Sequence, residues 1–151
     1  MIAIEDIQST IGAAISAHSY LSGIAVIEDD GLKAHDIEEA LGDDGNGVAI
    51  VVCLPLGGDP ADNAKNLLSD IVTVAVEVRV NVERNSAAGG AGKSVLLLLK
   101  AVREAVAGWS PENRGSRPFR SAGFSEPDLF EGEVSYVAMF TVQTAHQLAA
   151  A

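Results

Sequence analysis

The sequence predicts an α+β fold, a mainly antiparallel or mixed β-sheet with helices packed on it. Three observations predict it. Valine occupies every even position from 72 to 82, with Thr73, Ala75, Glu77, Arg79 and Asn81 between. Strict period-two alternation marks a strand with one dry and one wet face. Val95, Leu98, Leu99, Val102, Val106 and Trp109 recur at helical spacing, so residues 95–109 read as an amphipathic helix. At two places strands follow one another without a helical crossover, which disfavours a wholly parallel sheet. The expected order is α-β-(α)-β-β-α-β-β, in one domain over residues 1–151.

Taken in order, Ile4, Ile7, Ile11, Ile15 and His18 fall on one face of a first helix, which Ser22-Gly23 ends. Residues 24–28 suit a short strand, and Asp29-Asp30-Gly31 is turn chemistry. Residues 33–41 suit a short helix ending at Gly42, with Leu32, Ile37 and Leu41 as its apolar points. The continuous apolar run 48–54, between glycines and Pro55, suits a strand buried on both faces. Residues 56–66, with Gly57, Gly58 and Pro60, read as a loop. The strand over 72–82 would reach about 40 Å, so its end is expected to project as an arm. Residues 86–92 form a flexible Gly/Ala loop before the helix that Gly108 and Pro111 close. Residues 119–124 and 133–143 read as two further strands, joined through Ser125-Glu126-Pro127-Asp128 and Glu131-Gly132. Residues 145–151 read as a frayed tail.

Composition narrows the function. Acidic residues outnumber basic ones 21 to 10, a net charge of −11 that repels nucleic acid and anionic lipid at long range. Dedicated nucleic-acid binding is not expected. The opening residues do not read as a signal peptide, because Lys and Arg are missing and Glu5 and Asp6 interrupt the apolar positions. No stretch approaches the roughly 20 apolar residues of a membrane span. The lone Cys53 lies in an apolar run and reads as a small buried hydrophobe rather than a nucleophile. His18, His35 and His146 lack metal-ligand spacing, so no metal is expected.

One motif invites an enzymatic reading. Ala87-Ala88-Gly89-Gly90-Ala91-Gly92-Lys93-Ser94 resembles a phosphate-binding loop, with Ala in the first glycine's place. In that alternative the chain is a small nucleotide-binding protein: backbone amides cradle phosphates, Lys93 meets the terminal oxygens and Ser94 holds Mg²⁺. Three features oppose it. The preceding strand alternates with Glu77, Arg79 and Glu83, whereas the central parallel strand of such enzymes is apolar throughout. No apolar run ends in the metal-binding Asp such sites require. Too few βα units follow. Gly92, Lys93 and Ser94 therefore read as a decoy, with no cofactor and no catalytic residue expected.

Contact surfaces are the better candidates. Leu96 and Leu97 widen the apolar surface of the helix at 95–109, either as extra core or as a contact for a neighbouring subunit. Arg114, Arg117 and Arg120 cluster in an acidic protein, with Arg84 and Lys93 near them in sequence. Such a patch suits pairing with an acidic face of another copy, as in head-to-tail rings. Arg79 and Asn81, at the end of the long strand, complete the interface candidates.

The residues 71–144 carry a resemblance. Val72-Thr73-Val74-Ala75-Val76, a short glycine-containing loop, and a helix ending Leu99-Lys100-Ala101-Val102-Arg103-Glu104-Ala105-Val106-Ala107-Gly108-Trp109 are followed by Pro111, Pro118 and Gly123-Phe124. A last strand then carries Tyr136, Phe140 and Thr144. This pattern resembles the tail terminator, or tail-completion, proteins of long-tailed phages, in particular the Mu-like prophage type. The opening Ile4-Glu5-Asp6-Ile7 resembles the start of that family's first helix. The resemblance implies a non-catalytic subunit of a ring, a hexamer, that caps the tail tube and docks neck or head-completion proteins. It implies residence in the host cytoplasm before assembly and in the virion tail afterwards. Another head–tail connector component would share this size and acidity.

Overall fold

A computed structural model describes residues 2–61, 67–108 and 118–147 of the chain. Within them run α1 (Ile7–Ser16), β1 (Ala25–Glu28), α2 (Ala34–Leu41), β2 (Val48–Val52), β3 (Gly57–Pro60), β4 (Leu67–Asn81), α3 (Val82–Ser86), α4 (Val95–Ala107), β5 (Arg120–Phe124), β6 (Asp128–Phe130) and β7 (Glu133–Gln147). The strands form one sheet in the order β1-β2-β4-β7-β5, with β3 also pairing β4 and β6 also pairing β7. β1 and β2 are parallel and the other pairs antiparallel. The fold is therefore α+β with a mixed sheet, as the alternation of residues 72–82 predicts.

The valine alternation works as a ruler. Val72, Val74, Val76, Val78 and Val80 face one side of β4, and none is more than 3% exposed. Their partners on β7 are Val142, Phe140, Ala138, Tyr136 and Val134. α1 and α4 pack on this side, where Ile7, Ile11 and Ile15 meet Leu98, Val102 and Val106 in one apolar cluster. β2 is buried on both faces because α2 covers the other side: Ile37, Ala40 and Leu41 pack on Ala49 and Val51. The wet face of β4 lies against no helix over most of its length, and Thr73, Glu77 and Arg79 there are half-buried.

Several expectations need correction. The first helix does not span 4–18. Residues Ile4–Asp6 form a 3-10 turn, Ile4 is 53% exposed, and α1 stops at Ser16. His18 sits at a boundary, where its Nδ1 accepts from the Tyr20 amide at 3.2 Å and caps a 3-10 turn at Ser19–Leu21. Leu32 is not an apolar point of α2, since it precedes the helix and is 85% exposed. Residues 56–66 are not all loop, because Gly57–Pro60 pairs with Asp70–Thr73; residues 62–66 lie outside those described. β4 has backbone to spare beyond β2, and β3 occupies that edge. Nor is the long strand a projecting arm. β4 starts five residues earlier than expected and pairs along its whole length with β7. At its far end Asn81 caps α3 by accepting from the Arg84 amide, so Val82 leaves the strand. The helical turn α3 accordingly precedes the expected loop 86–92 and shares only Ser86 with it. Residues 145–147 are strand rather than frayed tail, because the backbone of Ile2 bonds to Gln143 and Ala145 beside them. The helix at 95–109 is described only to Ala107, followed by Gly108; Trp109 lies outside the described residues.

Phe140 is fully buried at the centre of the β4–β7 ladder, so Phe140→Ala is expected to cost about 3–5 kcal/mol, read from urea unfolding midpoints. A loss under about 1 kcal/mol would mean that this ladder is not the centre of the core.

Candidate assembly interface

The residues singled out from the sequence fall into two groups, those used inside the fold and those left at the surface. Arg84, Asn81 and Lys93 belong to the first. Arg84 Nε donates to Gly45 O at 2.8 Å and Nη1 to Ala88 O at 3.0 Å. Asn81 Nδ2 donates to Leu41 O at 2.8 Å, and the Asn81 amide donates to Gly47 O at 2.8 Å. These bonds lock the turn after α2 onto the loop before α4. Lys93 rests its Nζ over the Tyr20 ring at 4.0 Å, a cation–π contact.

The decoy loop is consumed by the same lock. The amide of Gly90 donates to Ala87 O, Ala91 to Asn46 O, Gly92 to Asn85 O, and Lys93 to Asn85 Oδ1. Asn85 Nδ2 returns a bond to Lys93 O at 2.9 Å. The four amides that a phosphate loop would aim at an anion are already bonded to the protein. Gly90 answers to close packing: a Cβ there would lie 2.0 Å from Arg84 O. Ser94 stands at the N-cap of α4 without a side-chain cap bond. β4 is antiparallel to its neighbours and is followed by α3, so the strand–loop–helix context of a nucleotide site is not formed.

Arg79 lies on the open sheet face and pairs with the Glu133 carboxylate beside it. That hydrogen bond raises the guanidinium above its ordinary range. Arg120 is exposed at the start of β5, opposite Thr141, in a groove of about 480 Å³ with Ile71, Pro118 and Gln143. Arg114 and Arg117 lie outside the described residues. The expected basic patch is not gathered from Arg84 and Lys93, because both are turned inward at the α3–α4 loop.

Leu96 and Leu97 are 58% and 49% exposed, so neither is extra core. Leu96 borders an open groove of about 490 Å³ between α4 and β5, with Leu99, Lys100, Arg103, Ala107 and Phe124. Arg103 lies over the Phe124 ring at 5.0 Å, and Phe124 meets Tyr136 edge-on at 6.2 Å. Sequence reading missed a second apolar surface. Leu129 and Phe130, in β6, are each 70% exposed. Their signal was present, as two large apolar residues between Pro127-Asp128 and Glu131-Gly132, too short a run to serve a core strand.

Cys53 is half-buried rather than buried, because β2 ends one residue before it. Burial, and then Glu77 with its oxygen 3.4 Å from Sγ, push the thiol up to about 12. It is poorly suited to nucleophilic work at neutral pH. Among the described residues, no group of three or more His, Cys, Asp or Glu is placed to hold a metal ion, and no helix is long and apolar enough to cross a membrane.

Compared with solved structures, the chain is similar to one in the "Virion of native gene transfer agent (GTA) particle", at 14% identity and a TM-score of 0.54. The similarity covers 93% of this chain and 95% of that one, and at such an identity it is a similarity of fold. No protein-family model matches the sequence, and no curated protein matches it.

Two outcomes follow for the site residues. Asn85→Ala, which leaves the Lys93 amide and carbonyl without their partner, is expected to cost about 1–3 kcal/mol, against under about 1 kcal/mol for Lys93→Ala. Thermal unfolding compares the two, and the reverse order would show that the lysine holds the loop. At pH 8, Cys53 should react with a thiol reagent about a hundredfold more slowly in the folded protein than in urea, and Glu77→Gln should speed it. Equal folded and unfolded rates would contradict the raised thiol.

Proposed function

We propose that this chain is a non-catalytic structural subunit of a phage or phage-like particle, and within that class a tail terminator whose copies form a ring. The ring ends the tail tube and docks the neck proteins. The observation that carries the reading is a fold shared nearly end to end with a chain of a gene transfer agent virion. The pattern of residues 71–144 narrows it to the terminator. The decoy loop supports a role without nucleotide, since its amides and Lys93 are spent within the fold.

The mechanism in this reading is geometric. A sheet built on two fifteen-residue strands is stiff, so residues at its ends hold fixed relative positions when the subunit repeats around an axis. Arg120, Phe124, Leu129 and Phe130 lie on the edge strands β5 and β6, and Leu96 and Leu97 on α4, where copies, tube protein or neck protein would meet them. A different head–tail connector component is the second reading, favoured by the same fold likeness.

Native mass spectrometry over a concentration series, with and without Mg-ATP, tests the proposal. A ring-sized species carrying no nucleotide is the expected result. A stoichiometric ATP adduct lost in Lys93→Ala would replace the structural reading with the enzymatic one.

A further inference from the structure

The β6–β7 hairpin forms an exposed apolar corner of the sheet. Its two-residue turn, Glu131-Gly132, has φ of 47° and 80°, the left-handed pair that matches the twist of a tight hairpin. The Val82 amide donates to Gly132 O at 3.0 Å, and Arg79 pairs with Glu133 directly after the turn. Leu129 and Phe130 are successive strand residues, so they point to opposite faces of this held tip. A flat partner would bury one of them; a groove takes both. Asp128 and Glu131 flank them and make the tip acidic as well as apolar.

The groove between α4 and β5 has the complementary character. Leu96, Ala107 and Phe124 supply apolar walls, and Lys100 and Arg103 supply positive charge. Arg103 Nη2 donates to Ser121 Oγ at 3.3 Å, while its buried Nε has no hydrogen-bond acceptor among the described residues. The groups that an incoming carboxylate would meet are Lys100 Nζ and the outer Arg103 guanidinium nitrogens, which border the groove. Glu104 also borders the groove, 3.8 Å from Lys100 and 3.3 Å from His18, and against Lys100 and Arg103 it leaves the lining net positive.

We infer that the β6–β7 hairpin tip of one copy docks in the α4–β5 groove of a second copy of this chain. The contact deepens, and rests on, the reading of the chain as a self-assembling subunit. Unlike surfaces on successive copies meet head to tail, the geometry that closes a ring when its rotation allows. At a net charge of −11 two copies repel at long range, so a local acidic-to-basic match fixes where they touch.

A charge exchange tests the contact in the full-length protein by sedimentation over a concentration series. Lys100→Glu and Glu131→Lys should each weaken association about three- to tenfold, and the two together should restore it. Leu129→Ser with Phe130→Ser should weaken it about tenfold or more. Circular dichroism melts confirm that each variant is folded, since all four positions are exposed. Rescue by the double exchange supports the contact, and rescue in a species that stops at a dimer supports it while removing the ring. Weakening without rescue overturns it. If the wild type associates and every variant matches it, the contact falls and the ring reading stands. A wild type that stays monomeric at the highest concentration, by itself and with its variants, overturns both.

Discussion

The rest of the fold hangs on the register of β4 against β7. Fifteen consecutive pairs decide which side chains face the helices, and a slip of one residue would turn every valine of β4 toward the open face. With the register as it stands, Val74 lies opposite Phe140 and both are fully buried under α1 and α4. The other edge of β4 is shared by β2 and β3 in succession. The ladder thus sets the width of the core, the place of the groove beside α4, and the place of the β6–β7 turn beside the end of β4.

A second constraint closes the top of the sheet. Asn46, Asn81, Arg84 and Asn85 join three connections that would otherwise be separate: Asn46 Nδ2 donates to Gly23 O, Asn81 to Leu41 O, Arg84 to Gly45 O, and Asn85 to Lys93 O. The glycines crowded there serve the close approach of backbone to backbone. Most of these bonds are made by uncharged side chains to backbone groups, so they satisfy buried amides and carbonyls without burying unpaired charge. The loop resembles a phosphate cradle because both solutions need small residues, yet here the cradle is filled by the protein itself.

These two constraints leave chemistry at the edges. The thiol of Cys53 is held protonated, and the Arg79 guanidinium is held by Glu133. The surface, by contrast, presents Leu96, Leu97, Phe124, Leu129 and Phe130 in an acidic protein that gains nothing from exposing them as a monomer. In the proposed reading, association between copies would give those side chains a use, and the stiffness of the ladder would give the association a fixed angle.

Periodicity was legible wherever burial follows it. The alternation at 72–82, the apolar run at 48–52 and the spacing within 95–107 each carried their element from sequence to structure, because one-sided or two-sided burial selects residues at the strand or helix period. The interface candidates were legible only in part. Leu96 and Leu97 stood out as more apolar surface than one core face requires, and they are exposed. Arg84, Lys93 and Asn81 looked equally free, and only tertiary structure showed them bonded to residues some 40 to 75 positions away, such as Leu41, Gly45 and Tyr20. β3 was hidden for the same reason: Gly57-Gly58-Asp59-Pro60 has no strand propensity, and its pairing comes from an edge that β4 leaves vacant. Sequence by itself determined the class of fold and most of the core, since those follow from local pattern and composition. Which polar side chains are spent inside, and which apolar ones remain to meet a partner, was decided by contacts between distant segments that no local pattern encodes.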